Sequence, residues 1–341
     1  MPLPPAPFIV DTHEDIGWHC LEHGRDFVNP GSAACMIALP WLQACGMRLI
    51  CATLFTIHGE PAGERHWKLY SQWEMYQELF QRYPRALLPV LRKADLTRLA
   101  GLPPLSEPGD GRPPVYPIGV ILLMEGLDLL GGPAELQTWF ERGLRMASLT
   151  WYGNNHFASG TAGDRQGLKP LGAELIREFE RLGLIFDLAH LNDAGISDVF
   201  SRFPELTVCA SHSNSRTITP HERNLTDDQA REIARRGGVI GLNLLGNLIR
   251  TGWHKGDPQP PLSAATDHPL YLARLLGPQY VGIGADLDGG LTPDNTPLGI
   301  DRIDHLPLLG ADLRARGMSE EQVAGFMGGN WWHFFERCLP D

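Results

Sequence analysis

Eight short apolar runs recur along the chain, and four of them close on a residue that is costly to bury. They are FIV (8–10), RLICATLF (48–55), VILLME (120–125), MASLTW (146–151), LIFDLAH (184–190), LTVCASH (206–212), GGVIGLNL (237–244) and YVGIGAD (280–286). Runs this apolar suit strands covered on both faces, as in a parallel sheet, and the intervals between them leave room for crossover helices. His13, Asp15, Glu125, His190, His212 and Asp286 stand at or just past the ends of such runs. Ligand-type side chains at successive strand ends predict an α/β fold of the (β/α)8 TIM barrel type, with its chemistry at the C-terminal face.

The intervening segments read as helices. Residues 64–82 place Trp67, Tyr70, Trp73, Tyr76 and Phe80 at helical intervals before Pro84, a stripe that suits core packing or a subunit contact better than a cofactor box. Residues 172–182 are amphipathic and stop at Gly183, while 226–236 open on Thr226 as N-cap, with acidic residues in the first turn and basic ones toward Gly237. Two Pro-rich stretches, 102–117 and 254–269, read as irregular surface excursions. The alternation resumes after each, so residues 1–341 read as a single barrel domain.

Composition narrows the function classes. With 43% hydrophobic and 20% charged residues the chain is of ordinary globular character, which excludes disorder. A formal net charge of -11 without any Lys/Arg run excludes a nucleic-acid partner. The start, MPLPPAPFIV, lacks a basic leader and a long apolar segment, so no membrane partner and a cytoplasmic location are expected. The six cysteines form no CxxC pair and read as reduced, structural thiols. Cys209 precedes His212 by three residues, and strand alternation sets the two on opposite faces, which makes it a poor nucleophile candidate.

The site residues carry a specific chemistry. His13 and Asp15, two apart, share a strand face, and an imidazole with a carboxylate is half a zinc shell. An isolated HxD is more often a turn Asp beside a hydrogen-bonded His; repetition at further strand ends overturns that account. Glu125 closes an apolar run, where a carboxylate is costly unless it pairs or binds metal. The donor count suggests two metals, one held by His13 and Asp15 and the other by His190 and His212, with Glu125 bridging. Two ions about 3.5 to 4 Å apart can share a hydroxide and polarise a carbonyl. Asp286 is then placed to take a proton and return it to a leaving amine, so the implied reaction is metal-assisted amide hydrolysis.

These motifs resemble the membrane (renal) dipeptidase family, a branch of the amidohydrolase-type metal-dependent hydrolases. HxD, the strand-end MEG, the DLAH and ASHS pair, HERNL and GADLDG follow one another in family order, from DTHED to GGNWWHFFE. The resemblance implies a barrel with two Zn2+ per chain, bridged by Glu125 and a hydroxide, that hydrolyses small dipeptides and often tolerates a D-residue on the C-terminal side. It assigns His13 and Asp15 to one zinc, His190 and His212 to the other, and Asp286 to proton transfer. Arg223 of HERNL matches the arginine that holds the substrate carboxylate, a role its planar fork suits. The family often dimerises, and the 67–80 stripe is a candidate homodimer contact.

One position departs from the family. Its characterised members carry His in an LTH motif at the fourth strand end, where it helps hold the scissile carbonyl; this chain reads SLTWYGNN, with Trp151 in that place. An indole offers one N–H and cannot become cationic, and losing one oxyanion donor can cost about 10² to 10³ in rate. Tyr152 and His156 are the neighbouring candidates to contact substrate, His156 as a replacement donor from the loop. The departure keeps open an amidase acting on another small N-acyl amino acid or a lactam. A metal-binding relative without catalysis is a further alternative that the retained Asp286 argues against, and a barrel isomerase or lyase with one metal is another.

Overall fold

Every strand pair in the sheet is parallel, and the order of the strands brings the first back to the last. The computed structural model describes residues 8–31, 34–106 and 114–341. Its strands are β1 (Ile9–Glu14), β2 (Met47–Phe55), β3 (Leu87–Pro89), β4 (Ile118–Glu125), β5 (Leu144–Ser148), β6 (Ile185–Asp187), β7 (Val208–Cys209), β8 (Ile240–Leu242) and β9 (Val281–Ile283). They pair in the order β7-β6-β5-β4-β2-β1-β9-β8. A parallel bridge between Ala210 and Ile240 joins the two ends of this order, with Ala210 N donating to Val239 O at 3.1 Å and Gly241 N to Ala210 O at 2.8 Å. Helices fill the crossovers, and the fold is a (β/α)8 barrel.

All eight expected strands are present, several of them shorter than their apolar runs. The ladder stops at Asp187, Cys209 and Ile283, and the residues that follow leave it to form the mouth. The strand that sequence reading missed is β3, which pairs only with β4 and lies off the ring. Three residues, one of them Pro89, carry no readable periodicity.

The helices depart from expectation in one place. Helix Leu262–Leu276 begins inside the stretch read as an irregular excursion and contains Pro269. The helix survives the lost backbone donor because Ala265, Thr266, His268, Leu270 and Leu272 bury one face of it. The other Pro-rich stretch is antiparallel where Ser106 meets Val115, and its middle, 107–113, lies outside the described residues. Helix Ala62–Arg82 divides its aromatic stripe: Tyr76 is buried and Trp67 is 59% exposed. Tyr76 Oη accepts from Gly17 N at 2.9 Å and donates to Thr53 O at 3.1 Å, tying β2 to the segment after β1. Thr226 caps helix Asp227–Arg235, with Gln229 completing a capping box. Among the described residues, no helix is long and apolar enough to cross a membrane.

Alternate strand residues build the filling beneath the mouth. Leu49 and Cys51 of β2, Ile121 and Leu123 of β4, Met146, Ile185 and Cys209 form one buried cluster with Trp331, Trp332, Phe334 and Phe335 of helix Asn330–Cys338. Phe55 and Glu125 continue the same faces of β2 and β4 upward to the site. The six cysteines are all free, four of them buried, in keeping with structural thiols.

Close backbone approach holds the mouth together. A Cβ on Gly241 or Gly284 would run into the Ser211 carbonyl, and one on Gly284 would also come within 3.2 Å of His212 Cα. Gly284→Ala is therefore expected to destabilise the protein by about 1–3 kcal/mol through overpacking. A thermal melt checks this, and a midpoint equal to that of the parent would contradict it.

Candidate metal centre

The barrel gathers all six strand-end residues at one point. Glu125 ends β4, and its Oε1 lies 2.9 Å from His190 Nε2, 3.5 Å from His212 Nε2 and 3.6 Å from His13 Nε2. His13 Nε2 is also 3.8 Å from Asp15 Oδ2 and 3.9 Å from Asp286 Oδ1. Two donor groups result, His13 with Glu125 and His212, and His13 with Asp15 and Asp286, each with its ligand atoms within 4.8 Å of one another. His13 Nε2 and Glu125 Oε1 are buried, and no hydrogen bond is directed at either. The unpaired His13 nitrogen and the Nε2 atoms of His190 and His212, which lie 2.9 Å from each other, converge on an unpaired carboxylate oxygen, a donor set that fits a divalent metal of the zinc type.

Residues behind the ligands set their orientation. The Ser211 hydroxyl donates to Asp187 Oδ2 at 2.5 Å, which leaves its oxygen to accept from His212 Nδ1 at 2.7 Å; His13 Nδ1 lies 3.4 Å away. Asp187 also accepts from Ala189 N and Ser211 N, at 3.1 and 2.9 Å. With the proton on Nδ1, His212 turns its Nε2 lone pair toward Glu125. Thr53 Oγ1 hydrogen bonds to Asp15 Oδ1, and Asn243 Nδ2 donates to Asp286 Oδ2 at 2.8 Å. Asp286 thereby keeps Oδ1, the oxygen nearer His13, free.

Backbone conformation aims two of the side chains. His190 and Asp286 have φ of 66° and 62°, in the left-handed region that few non-glycine residues occupy. Both lie past the strand ends, so the strained turns and not strand alternation direct them inward. Asp288, with φ 62°, anchors the second turn: its carboxylate accepts from Arg25 Nη2 at 2.6 Å, Met36 N at 2.7 Å and Ile37 N at 3.1 Å.

The electrostatics favour a bound cation. Burial works against the charge on His13, but Glu125, Asp15 and Asp286 outweigh it and raise its pKa to about 10. Burial raises Asp15 to about 8 despite His13, and raises Asp286 to about 6 despite His13 and Asn243. Glu125 moves the other way, because His13 and His190 outweigh its burial and hold it ionised. Burial and Arg223 lower His190 to about 4, and burial takes His212 well below the usual histidine range, leaving both as neutral ligands.

A cavity of about 350 Å³ opens over these groups. Arg223 lines it, buried, with Nη2 donating to His212 O at 3.4 Å. Among the described residues it is the only Arg or Lys lining the cavity, and it forms no ion pair with Glu222 or Asp227. Trp151 and Tyr152 line the cavity, with the Trp151 ring 6.4 Å from that of His190. His156 does not. Its Nε2 is 2.8 Å from Leu130 O and its ring lies on Phe157, because Asn155 Oδ1 accepts from Phe157 N and Ala158 N and turns the loop away. His156 is thus removed as a replacement oxyanion donor.

Ser211, Asp187, Asn243, Thr53 and Asp288 were missed by sequence reading. Asp187 and Ser211 stand inside the DLAH and ASH motifs, so a signal for them existed. Asn243 is an isolated polar residue in GLNLL and carries none.

The model of the membrane dipeptidase family, peptidase family M19, matches residues 5–338, and the chain belongs to this family. It is 30% identical over 265 residues to the dipeptidase aclJ of Aspergillus oryzae, covering 76% of this chain and 58% of that protein. It is 32% identical over 221 residues to an uncharacterized dipeptidase of Schizosaccharomyces pombe, covering 62% and 51%. The chain therefore spans little more than half the length of these curated relatives. Among solved structures, the fold matches dipeptidase AC at TM-score 0.84 with 24% identity, covering 99% of both chains. It also matches a Rhodobacter sphaeroides metallopeptidase, solved with a phosphinate mimic of L-Ala-D-Ala, at 0.83 with 22% identity, covering 99% of this chain and 100% of that one.

The Ser211 hydroxyl is the part of this arrangement most open to test. Ser211→Ala is expected to weaken metal retention by about 10- to 100-fold while the fold persists, as for other hydrogen bonds behind metal ligands. Competition with a chelating dye measures it, and unchanged affinity would contradict the role.

Proposed function

We propose that the chain is a metal-dependent dipeptidase that holds two zinc ions, one by His13, Asp15 and Glu125 and the other by Glu125, His190 and His212. The observation that carries this reading is the meeting of five such donors around Glu125, under a cavity that Asp15, Glu125, His190 and one buried arginine without an ion pair line. When bound, zinc would supply Lewis acidity for the carbonyl and acidify a water.

The protein's own groups do the rest. Arg223 binds the free carboxylate through its guanidinium fork and so measures the substrate from its C-terminal end. Asp286 holds a proton on Oδ1 while Asn243 fixes Oδ2, taking the proton from water and handing it to the departing nitrogen. A carboxyl whose pKa is raised toward neutrality suits both halves of that transfer. Trp151 brings a single indole donor to the side of the carbonyl where the family's histidine stands. The dipeptide mimic bound by the Rhodobacter relative agrees with a substrate of this size.

A second reading, an amidase for N-acyl amino acids, has one observation in its favour. Among the described residues lining the cavity, the only carboxylates are Asp15, Glu125 and Asp286, so a free ammonium group has no partner outside the metal centre. A zinc-loaded panel of L,L and L,D dipeptides beside N-acetyl amino acids separates the two. Turnover of free dipeptides, lost by at least about 10²-fold in Asp286→Asn, is expected. No turnover of any dipeptide, or an unimpaired Asp286→Asn, would overturn the assignment.

A further inference from the structure

Four aromatic rings line the cavity in a continuous series of contacts. Trp18 meets Phe55 edge-on at 5.9 Å and 71°, Phe55 meets Trp151 at 5.1 Å and 65°, and Trp151 meets Tyr152 at 5.9 Å and 47°. Phe55 is buried, but Trp18 and Trp151 are half-buried and Tyr152 is 42% exposed, more open than packing alone requires. Apolar surface presented inside a concave site is the usual lining of a ligand pocket.

The series also has a direction. Trp18 lies in helix Ile16–His23, directly after Asp15, and Phe55 is two residues beyond Thr53, which hydrogen bonds to Asp15. Phe55 is the register partner of Glu125, and Trp151 stands beside His190. Arg223 is tied to the other end of the centre, at the His212 carbonyl. A ligand whose carboxylate lies on Arg223 and whose scissile bond lies over Glu125 therefore extends its amino-side residue toward Asp15, Trp18 and Phe55. Ile57 adds apolar surface to the same cavity, and the charged side chains nearest that end among the lining residues are Asp15 and Asp286, both part of the metal centre.

We propose that Trp18, Phe55 and Trp151 form the seat for the substrate's amino-side side chain and select a large apolar one, aromatic above all. The orientation of the ligand rests on the dipeptidase reading. Edge-to-face contacts hold these rings in place before the ligand arrives, so little side-chain entropy is lost on binding. Trp151 thus has a use of its own: just past the end of β5 this chain carries a wall in place of a second cationic donor.

Calorimetry on the zinc-loaded full chain tests this with uncleavable dipeptide analogues whose scissile amide is replaced by a methyleneamine. Each analogue ends in glycine and differs only at the amino-side residue. The phenylalanine analogue is expected to bind at least about tenfold tighter than the alanine one, since pocket burial of a single methylene can already be worth that much. Trp18→Ala and Trp151→Ala should each shrink this ratio, and Trp151→Phe should restore part of it. Using two sites keeps the result readable if one variant fails to fold, which a thermal melt reports. Equal affinities for the two analogues, or an unchanged ratio in a folded variant of each site, would overturn the proposal. Selective binding without turnover of any dipeptide would sink the hydrolytic reading and leave this one standing. Turnover without selectivity would do the reverse.

Discussion

Charge gathered in a buried barrel mouth is the constraint on which the rest of the structure depends. Asp15, Glu125 and Asp187 are each no more than 5% exposed, and three imidazoles share their space. Taking an isolated carboxylate out of water is prohibitive, and even the effective penalty after relaxation is several kcal/mol per ion, so each must be compensated on the spot. The barrel does this with fixed dipoles. Thr12 Oγ1 bonds to the carbonyls of Ser211 and Ile283, at 2.9 and 3.0 Å, lashing β1 to the segment that follows β7 and to the end of β9. Asp11 accepts from Ala285 N at 2.9 Å, and glycines at 241 and 284 let the backbones close. These dipoles leave unpartnered atoms at Asp11 and Glu14 and at His13 and Glu125, and the last two belong to the group of donors that suits a divalent cation.

The same constraint explains what was legible in the sequence. A His, Asp or Glu closing an apolar run stands out because such a residue is expensive there, and Glu125, His190, His212 and Asp286 were singled out on that signal, His13 and Asp15 on their spacing just past the first run. Arg223 was carried by resemblance, and among the described residues it is buried without an ion pair. The parts that went unread lacked any such contrast. β3 is three residues long, and helix Leu262–Leu276 was hidden behind Pro269 and the prolines before it. Ser211 and Asn243 matter through hydrogen bonds to partners distant in sequence, which no local pattern records. His156 was misread for the same reason, since the Asn155 turn that points it at Leu130 is set by the backbone.

Side-chain direction in the mouth has two sources. Strand alternation accounts for Glu125, which ends β4 in regular register with Phe55. It does not account for His190 or Asp286, whose left-handed backbone places them past the ladder. Strain at two site residues is maintained because the turns are over-determined, the second by Asp288 with Arg25 and two backbone donors. The cavity is correspondingly divided, with a rigid charged centre, one arginine and an aromatic wall.

The central claim is a paired metal site bridged by Glu125. Its most direct measurement is the metal content of the purified, zinc-equilibrated protein, read together with anomalous scattering from its crystals. The account predicts two ions per chain, about 3.5 to 4 Å apart, flanking the Glu125 carboxylate. A single ion, or two ions of which neither contacts Glu125, would contradict it.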